Sequence, residues 1–205
     1  MGFYADHVLP RLLDLLLRAR DTHELRARVA SRLTGEVLEI GFGSGLNVPF
    51  YPAGVTRVRA LDPATTGRKL AAERVAASPV PVEYIGLDAQ RIPLPDASVD
   101  SVLTTWTLCT IPDVAGALAE VHRVLRPGGT VSFAEHGRSP DAGVARAQDR
   151  LEPLQSRVLG GCRLTRPIDQ LITGSGLELT RLETYYRPGP RPTSYTYEGQ
   201  AIKLA

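Results

Sequence analysis

The stretch from Val37 to Gly45 constrains the fold more than any other part of the sequence, because an apolar run leads directly into three glycines at alternate positions. Gly41, Gly43 and Gly45 permit backbone dihedrals and close approaches that a Cβ atom would forbid. The pattern predicts a strand, a tight turn and a helix whose first N–H groups face a ligand. We therefore expect a nucleoside-containing cofactor to lie against bare backbone at this turn.

Dinucleotide-binding proteins also place closely spaced glycines after a strand, but two residues of this turn argue against them. The dinucleotide fingerprint needs its third glycine where this chain has Leu46. Glu39 would lie beside the pyrophosphate, and like charges in contact repel by about 4 kcal/mol at an effective dielectric of about 20. Glu39 would instead attract a cofactor that carries an ammonium and a sulfonium group, and S-adenosylmethionine fits that description.

Acidic residues follow each of the next two apolar runs. Asp62 comes after Val55–Leu61, about 20 positions past Gly41, which is the spacing at which a strand-end carboxylate meets ribose hydroxyls. Asp88 follows the run from Val82 to Leu87. One such residue alone is more often a helix cap or a turn residue. The succession of three carboxylates around a glycine turn is what favours a cofactor site.

The string Glu39-x-Gly41-x-Gly43-x-Gly45 closely resembles the first motif of class I S-adenosylmethionine-dependent methyltransferases. The resemblance implies an α/β fold: a Rossmann-like, seven-stranded, mostly parallel sheet with an antiparallel C-terminal strand and helices on both faces. It places Asp62 at the ribose and Asp88 at the adenine. The cofactor-binding residues that it implies are Glu39, Gly41, Gly43, Gly45, Asn47, Asp62, Pro63, Asp88, Ala89, Gln90, Thr107 and Leu108.

Three narrower elements resemble the methyltransferase-like family whose animal members are alkyl thiol S-methyltransferases. They are Thr107-Leu108-Cys109, Glu135-His136 and the segment from Gly161 to Arg166. This resemblance implies a small-molecule acceptor with a thiol sulfur, and Cys109 and Cys162 are candidate substrate contacts. Similar bacterial proteins suggest N-methylation of a phospholipid amine instead. The segment from Glu120 to Gly129 resembles quinone C-methyltransferases, so C- or O-methylation of a quinone-like acceptor is a further alternative.

His136 is the candidate catalytic residue. A thiol must lose its proton to attack well. An imidazole directly after the predicted strand Thr130–Glu135 can accept that proton. Histidine can equally donate a hydrogen bond and order a loop, so both roles stay open. The two cysteines, Cys109 and Cys162, have neither the spacing of a zinc site nor that of a disulfide framework, so the sequence predicts no metal.

The N-terminal segment from Phe3 to Leu33 is predicted to be helical, with Pro10 in its first turn. One interpretation is a lid (residues 1–33) over a single cofactor-binding domain (34–205), with Tyr4 and His7 near the acceptor. The other is a basic, leucine-rich helix lying on a membrane surface.

The remaining sequence predicts elements typical of alternating strands and helices. They are a turn at Arg126–Gly129, a strand at Thr130–Glu135, a helix at Ala142–Val158 interrupted by Pro153, a short helix near Pro167–Thr173 and a hairpin of Leu177–Tyr185 with Tyr195–Leu204.

Composition narrows the classes of partner. The 205 residues carry a formal charge of +2, and the 24 basic residues are interspersed with 22 acidic ones. Without a basic block, we expect no nucleic-acid partner. The apolar stretch Leu15–Leu17 is bounded by Asp14 and Arg18, so we predict no signal peptide or spanning segment, and a cytoplasmic protein that can touch a membrane peripherally.

Two hypotheses from other classes remain at this point. One is a nicotinamide oxidoreductase, which Leu46 and Glu39 disfavour. The other is a catalytically inert cofactor-binding protein, which the sequence does not separate from an enzyme.

Overall fold

A computed structural model describes residues 4–204 of the chain. Its strands are Gly35–Ile40 (β1), Val55–Leu61 (β2), Val82–Gly86 (β3), Val99–Thr105 (β4), Leu125–His136 (β5), Glu178–Tyr186 (β6) and Tyr195–Ile202 (β7). Its α-helices are Leu9–Leu16 (α1), Arg20–Ala30 (α2), Thr65–Ala76 (α3), Val114–Val124 (α4), Ala142–Val158 (α5), Ile168–Gly174 (α6) and Arg191–Ser194 (α7). A π-helical turn, Tyr4–Val8, precedes α1, and a 3-10 turn, Val48–Phe50, follows the glycine turn.

The seven strands form one sheet in the order β3-β2-β1-β4-β5-β7-β6. Strands β1 to β5 pair in parallel, and β7 runs antiparallel to both of its neighbours, β5 and β6. The chain order reverses between β1 and β4. Open α/β sheets bind their ligands in the crevice at such a reversal, beyond the carboxyl ends of the strands. The predicted Rossmann-like sheet, its antiparallel C-terminal strand and the C-terminal hairpin are confirmed.

Helices cover both faces of the sheet because alternate strand residues point to opposite sides. On one face, Leu38 of β1 and Val102 of β4 lie in a cluster with Leu118 of α4 and residues of α6. On the other face, Val37 of β1 lies in a cluster with residues of α2 and α3. Strands that are buried on both sides read as nearly continuous apolar runs, which is why their positions were predictable.

The N-terminal segment is broken where the sequence predicted one helical run, and Phe3, the predicted start, lies outside the described residues. α1 ends at Leu16, and the carbonyl of Leu17 accepts a hydrogen bond from the Thr22 hydroxyl (2.9 Å) instead of continuing the helix. α2 then packs Leu25 and Val29 on the sheet. Pro10 lies in the first turn of α1, as predicted.

The glycine turn is not followed by the predicted α-helix. Tyr51 is extended (φ −64°, ψ 123°) and ends the 3-10 turn after three residues. The cause is local, because Pro52 disfavours a helical conformation at the residue before it. The helix N-terminus that the sequence predicted as a source of free N–H groups is therefore missing from this turn.

Two further predictions need correction. The segment Arg126–Gly129 belongs to β5 as an irregularity, since Val99 pairs with Leu125 and Ser101 with Thr130. Gly128 donates its N–H to Lys203 (2.8 Å), so pairing continues through the supposed turn. α5 runs through Pro153 without ending, although a proline inside a helix removes one backbone hydrogen bond.

Within residues 4–204, no helix combines the length and the apolar character that crossing a bilayer requires.

Candidate active site

A cavity of about 300 Å³ lies at the reversal point of the sheet, at the lower end of the range of about 300–1,000 Å³ for ligand pockets. Its walls include the glycine turn after β1, the segment after β2, the loop after β4, helix α1, Arg26 of α2 and the loop after α5. Five predicted cofactor residues lie on these walls. They are Gly41, Gly43, Asp62, Pro63 and Thr107.

The glycine turn leaves bare backbone in this cavity. All three glycines have positive φ: 74° at Gly41, 53° at Gly43 and 72° at Gly45. A Cβ on Gly41 would lie 1.9 Å from Thr107 Oγ1, so the loop after β4 excludes any side chain there. A Cβ on Gly43 would meet only open space beyond a backbone oxygen at 3.9 Å. The turn is therefore a cradle that a ligand can approach closely at Gly43.

Asp62 holds the shape of this cradle. Its Oδ2 accepts a hydrogen bond from the Gly43 N–H and its Oδ1 accepts one from the Ala64 N–H, both at 2.7 Å. Burial raises the pKa of Asp62, and these two backbone hydrogen bonds offset part of the rise. Each carboxylate oxygen can accept a second hydrogen bond. Asp62 can thus bind hydroxyl groups of a ligand while it fixes the turn.

Glu39 lies behind the turn and is not on the cavity wall. Its side chain is buried and accepts hydrogen bonds from Asn47 Nδ2 (3.0 Å) and from the Tyr51 hydroxyl. Burial raises the pKa of Glu39 to about 7. Gly45 and Asn47 are also off the wall. The structure therefore does not bring Glu39 to the ligand directly, and its contact with an ammonium group stays a prediction.

Arg26 of α2 is on the cavity wall, although it was not among the site residues predicted from the sequence. Its Nη1 donates to Asn47 Oδ1 (2.8 Å) and to Thr105 Oγ1 (2.9 Å), and its Cζ lies 4.8 Å from the centre of the Trp106 ring. Burial lowers the pKa of Arg26 to about 10, which leaves it a cation at neutral pH. Within the described part of the chain, the buried Nε atom of Arg26 has no hydrogen-bond partner.

One signal in the sequence could have identified Arg26. The buried residues of α2 recur at the spacing of a helix face, and Arg26 takes a place in that apolar stripe. They are Thr22, Leu25, Arg26, Val29 and Ala30. An arginine in a buried stripe needs polar partners or a ligand.

The predicted adenine contacts do not reach the cavity. Asp88 and Gln90 are exposed, and Asp88 Oδ1 accepts hydrogen bonds from the backbone N–H (2.9 Å) and the side-chain amide (3.0 Å) of Gln90. These hydrogen bonds lower the pKa of Asp88. Ala89 packs in the core. Their assignment to the adenine remains a prediction.

The loop after β4 is held by two residues of the narrower sequence elements. Buried Glu135 accepts hydrogen bonds from the Thr107 N–H (3.0 Å) and the Cys109 N–H (3.3 Å), and burial raises the pKa of Glu135. Arg166 donates to the carbonyl oxygen of Leu108 from the other side. Leu108 itself lies in the core and not on the cavity wall. Glu135 and Arg166 therefore position the loop that forms the cavity wall.

His136, Cys109 and Cys162 form a cluster beside the cavity. The two sulfurs are 3.6 Å apart, and Cys162 Sγ is 3.8 Å from His136 Nδ1. The hydrogen bond between the sulfurs lowers the pKa of Cys162 and raises that of Cys109. Trp106 lines the cavity, and its ring centre lies 6.2 Å from that of His136. The sequence spacing of the cysteines gave no sign of this proximity.

The N-terminal residues Tyr4 and His7 are exposed and do not line the cavity, in contrast to the expectation for substrate contacts. The Tyr4 hydroxyl donates to the carbonyl oxygen of Val158 (2.9 Å). α1 does form a wall of the cavity, through the side chains of Leu9, Leu13 and others. α1 therefore contributes to the cavity wall, and the role of residues 1–33 as a lid stays a prediction.

Comparisons with known proteins agree with this geometry. A family described as "Methyltransferase domain" matches residues 38–133. The thiol S-methyltransferase TMT1B of Rattus norvegicus is 32% identical over 82% of this chain and 70% of its own length. The phosphatidylethanolamine N-methyltransferase of Cereibacter sphaeroides is 31% identical over 62% of this chain and 66% of its own length.

A solved structure, that of the [4+2]-cyclase SpnF, superposes with a TM-score of 0.72 at 18% identity, over 90% of this chain and 82% of that protein. At this level of identity, the likeness concerns the fold alone. The strand order of the sheet, the glycine cradle and the matches to curated methyltransferases lead to one conclusion: the chain belongs to the class I S-adenosylmethionine-dependent methyltransferases.

Proposed function

We propose that this methyltransferase transfers the methyl group to a thiol sulfur of a small, apolar acceptor. The observation that carries the proposal is the apolar part of the cavity wall, where Leu9, Leu13 and Leu17 from the N-terminal segment meet Leu159 and Trp106. An apolar acceptor loses contact with water against such a wall, at roughly 25 cal/mol per Å² buried. The similarity to a rat thiol S-methyltransferase supports the choice of sulfur.

The cavity contains groups that suit the cofactor. Gly43 offers bare backbone, Asp62 can accept hydrogen bonds from the ribose hydroxyls, and the unpartnered Nε of Arg26 can donate to the methionine carboxylate. Asn47 and Glu39 hold Arg26 and the turn in place from behind. S-adenosylmethionine supplies an electrophilic methyl group when bound there.

The protein's own contribution to the reaction is to position the acceptor and exclude water. Displacement at the methyl carbon requires the attacking sulfur to lie about 3–3.5 Å away and in line, and such positioning can supply most of the acceleration. α1 and the loop after β4 form the walls that exclude water. His136, at the carboxyl end of β5, is proposed to accept the proton of the acceptor thiol.

The direct test is incubation of the purified chain with methyl-labelled S-adenosylmethionine and a panel of alkyl thiols, amines and quinols. The proposal predicts label in the thiol products, with turnover rising as the alkyl chain lengthens. Label only in other products would refute transfer to a thiol. Cofactor binding without any labelled product would favour a catalytically inert cofactor-binding protein.

A second acceptor has one observation in its favour. α1 exposes Leu12, Leu15 and Leu16 beside its cavity-lining face, so a lipid-like acceptor could enter from a membrane that the helix touches. The similarity to a phosphatidylethanolamine N-methyltransferase points the same way. Vesicles containing phosphatidylethanolamine form one arm of the same assay. Label in the lipid would identify its amine, and not a thiol, as the methyl acceptor.

A further inference from the structure

The cluster of Cys109, His136 and Cys162 gathers donor atoms from three separate segments. Cys109 lies in the loop after β4, His136 ends β5, and Cys162 lies in the loop after α5. The two Sγ atoms and a ring nitrogen all lie within 4.8 Å of one another. Both cysteines are buried and form no disulfide bond with each other. Cofactor binding does not account for this gathering of two thiols and an imidazole, and the proposed proton transfer uses only His136.

The distances between these donor atoms fit a tetrahedral ion. With bonds of about 2.3 Å to sulfur and about 2.0–2.1 Å to nitrogen, zinc places two sulfurs about 3.8 Å apart and a sulfur and a nitrogen about 3.6 Å apart. The structure has 3.6 Å between the sulfurs and 3.8 Å between Cys162 Sγ and His136 Nδ1. The third pair of donor atoms, Cys109 Sγ and a His136 ring nitrogen, lies within 4.8 Å. An ion could therefore enter with shifts of a few tenths of an ångström at the first two pairs, while the third pair has to close by up to about 1.2 Å to reach tetrahedral spacing.

The main chain around the cluster is already held in place. The N–H of Cys109 donates to Glu135 and its carbonyl oxygen accepts from the Arg163 N–H (2.8 Å). The N–H of Cys162 donates to the carbonyl oxygen of Leu159 (3.1 Å), and Gln155 Nε2 lies 3.6 Å from its sulfur. Such outer contacts orient the ligands of metal sites.

From these observations we propose that Cys109, His136 and Cys162 bind one zinc ion through two thiolate sulfurs and Nδ1 of the imidazole. Two thiolates and a divalent cation sum to zero charge, which suits a buried position. Sulfur and imidazole ligands together favour zinc over magnesium or calcium. Three protein ligands leave the fourth tetrahedral position for water, the arrangement of zinc sites that keep an open position.

Zinc at this position would also affect the active site. The ion would connect the loop that carries Trp106 to the end of β5 and to the loop after α5, so we expect a higher unfolding temperature. A histidine bound to zinc through Nδ1 carries its proton on the other nitrogen and cannot accept one. This consequence rests on the proposed function, in which His136 accepts the thiol proton. Zinc then lowers turnover without changing cofactor affinity.

The test is metal binding by the full chain, reduced and then freed of reductant and metal. Zn²⁺ is titrated against a chromophoric chelator, and Co²⁺ is added separately to look for the sulfur-to-cobalt charge-transfer band. The proposal predicts one equivalent of metal and a charge-transfer band. Loss of an outer contact weakens metal binding by about 10- to 100-fold. Cys162→Ser removes a direct ligand, so it should weaken binding by about 100-fold or more.

His122→Ala serves as the matched control, because His122 lies in α4 and outside the cluster. If Cys162→Ser fails to fold by circular dichroism, His136→Ala replaces it, since His136 is the partly exposed member of the cluster. Absence of binding, or equal binding by the ligand variants and His122→Ala, would overturn the proposal. Metal binding with normal thiol methylation by the loaded protein would keep the zinc site and refute only the role of His136 in the proposed function.

Discussion

The buried carboxyl group of Glu39 makes a sharp prediction about the dependence of stability on pH. Its pKa is raised from 4.5 to about 7 by burial, and no hydrogen bond fully offsets that rise. Between these two values, the folded chain holds a proton that the unfolded chain has lost, so stability must fall as pH rises. The stabilisation from the protonated carboxyl is complete below the unfolded pKa and is lost as pH rises through the folded pKa.

The size of the effect follows from the two pKa values. Integrating the proton difference from pH 5 to pH 8 gives a loss of about 2.5 kcal/mol in the free energy of unfolding. Glu39→Gln removes the titration but keeps an amide oxygen that can accept from Asn47. The difference in unfolding free energy, variant minus wild type, should therefore become more positive by about 2.5 kcal/mol over this pH range.

Urea unfolding of both proteins at pH 5, 6, 7 and 8 measures this difference, and titration of all other groups cancels in the comparison. Glu198→Gln is the control, because the pKa of Glu198 is shifted in the direction opposite to that of Glu39. Burial would raise the pKa of Glu198, but hydrogen bonds from Arg28 and Tyr185 outweigh burial and lower the pKa. That carboxylate is ionised in both states above about pH 5.5, so its variant should differ from wild type by a constant amount at pH 6, 7 and 8. A constant difference for Glu39→Gln as well would refute the reasoning.

Three further substitutions, with Arg28→Met as a control, test the assignment of the cofactor site and of His136. Asp62→Ala should weaken binding of S-adenosylmethionine by roughly 1.5–3 kcal/mol, because hydrogen bonds to a charged group are lost, and unchanged affinity by calorimetry would show that Asp62 does not contact the ribose. Arg26→Met should also weaken binding by roughly 1.5–3 kcal/mol. Arg28 pairs with Glu198 at 2.9 Å, so Arg28→Met should bind the cofactor as wild type does. His136→Ala should lower kcat by about 100-fold or more while cofactor affinity stays the same. Equal losses of thermal stability and turnover in that variant would assign His136 a structural role.

The positions of the parallel strands along the chain were predictable because each is a short apolar run followed by polar residues. β2 begins and ends at the predicted residues. The errors arose where a neighbour in space decides the local structure. β5 begins at Leu125 because Val99 pairs with it and Lys203 pairs with the glycines beyond it, and neither partner is close in sequence.

In the candidate site, too, residues fixed by local sequence were predictable and residues brought together by tertiary packing were not. The glycines and Asp62 could be predicted because one continuous segment, or one fixed spacing, brings them to the ligand. Cys109 and Cys162 meet only because the loops after β4 and α5 pack together, which no spacing along the chain reveals. Arg26 was recognisable in principle as a charge in the buried stripe of α2, but its position beside Trp106 depends on how the helix packs.

The central claim is that the cavity binds a cationic methyl donor and not an anionic redox nucleotide. Isothermal titration calorimetry of the folded chain with S-adenosylmethionine, S-adenosylhomocysteine and NAD measures this directly. The account predicts one binding site for the donor and its demethylated product, and no binding of NAD. Heat from NAD alone, with none from the other two, would contradict it.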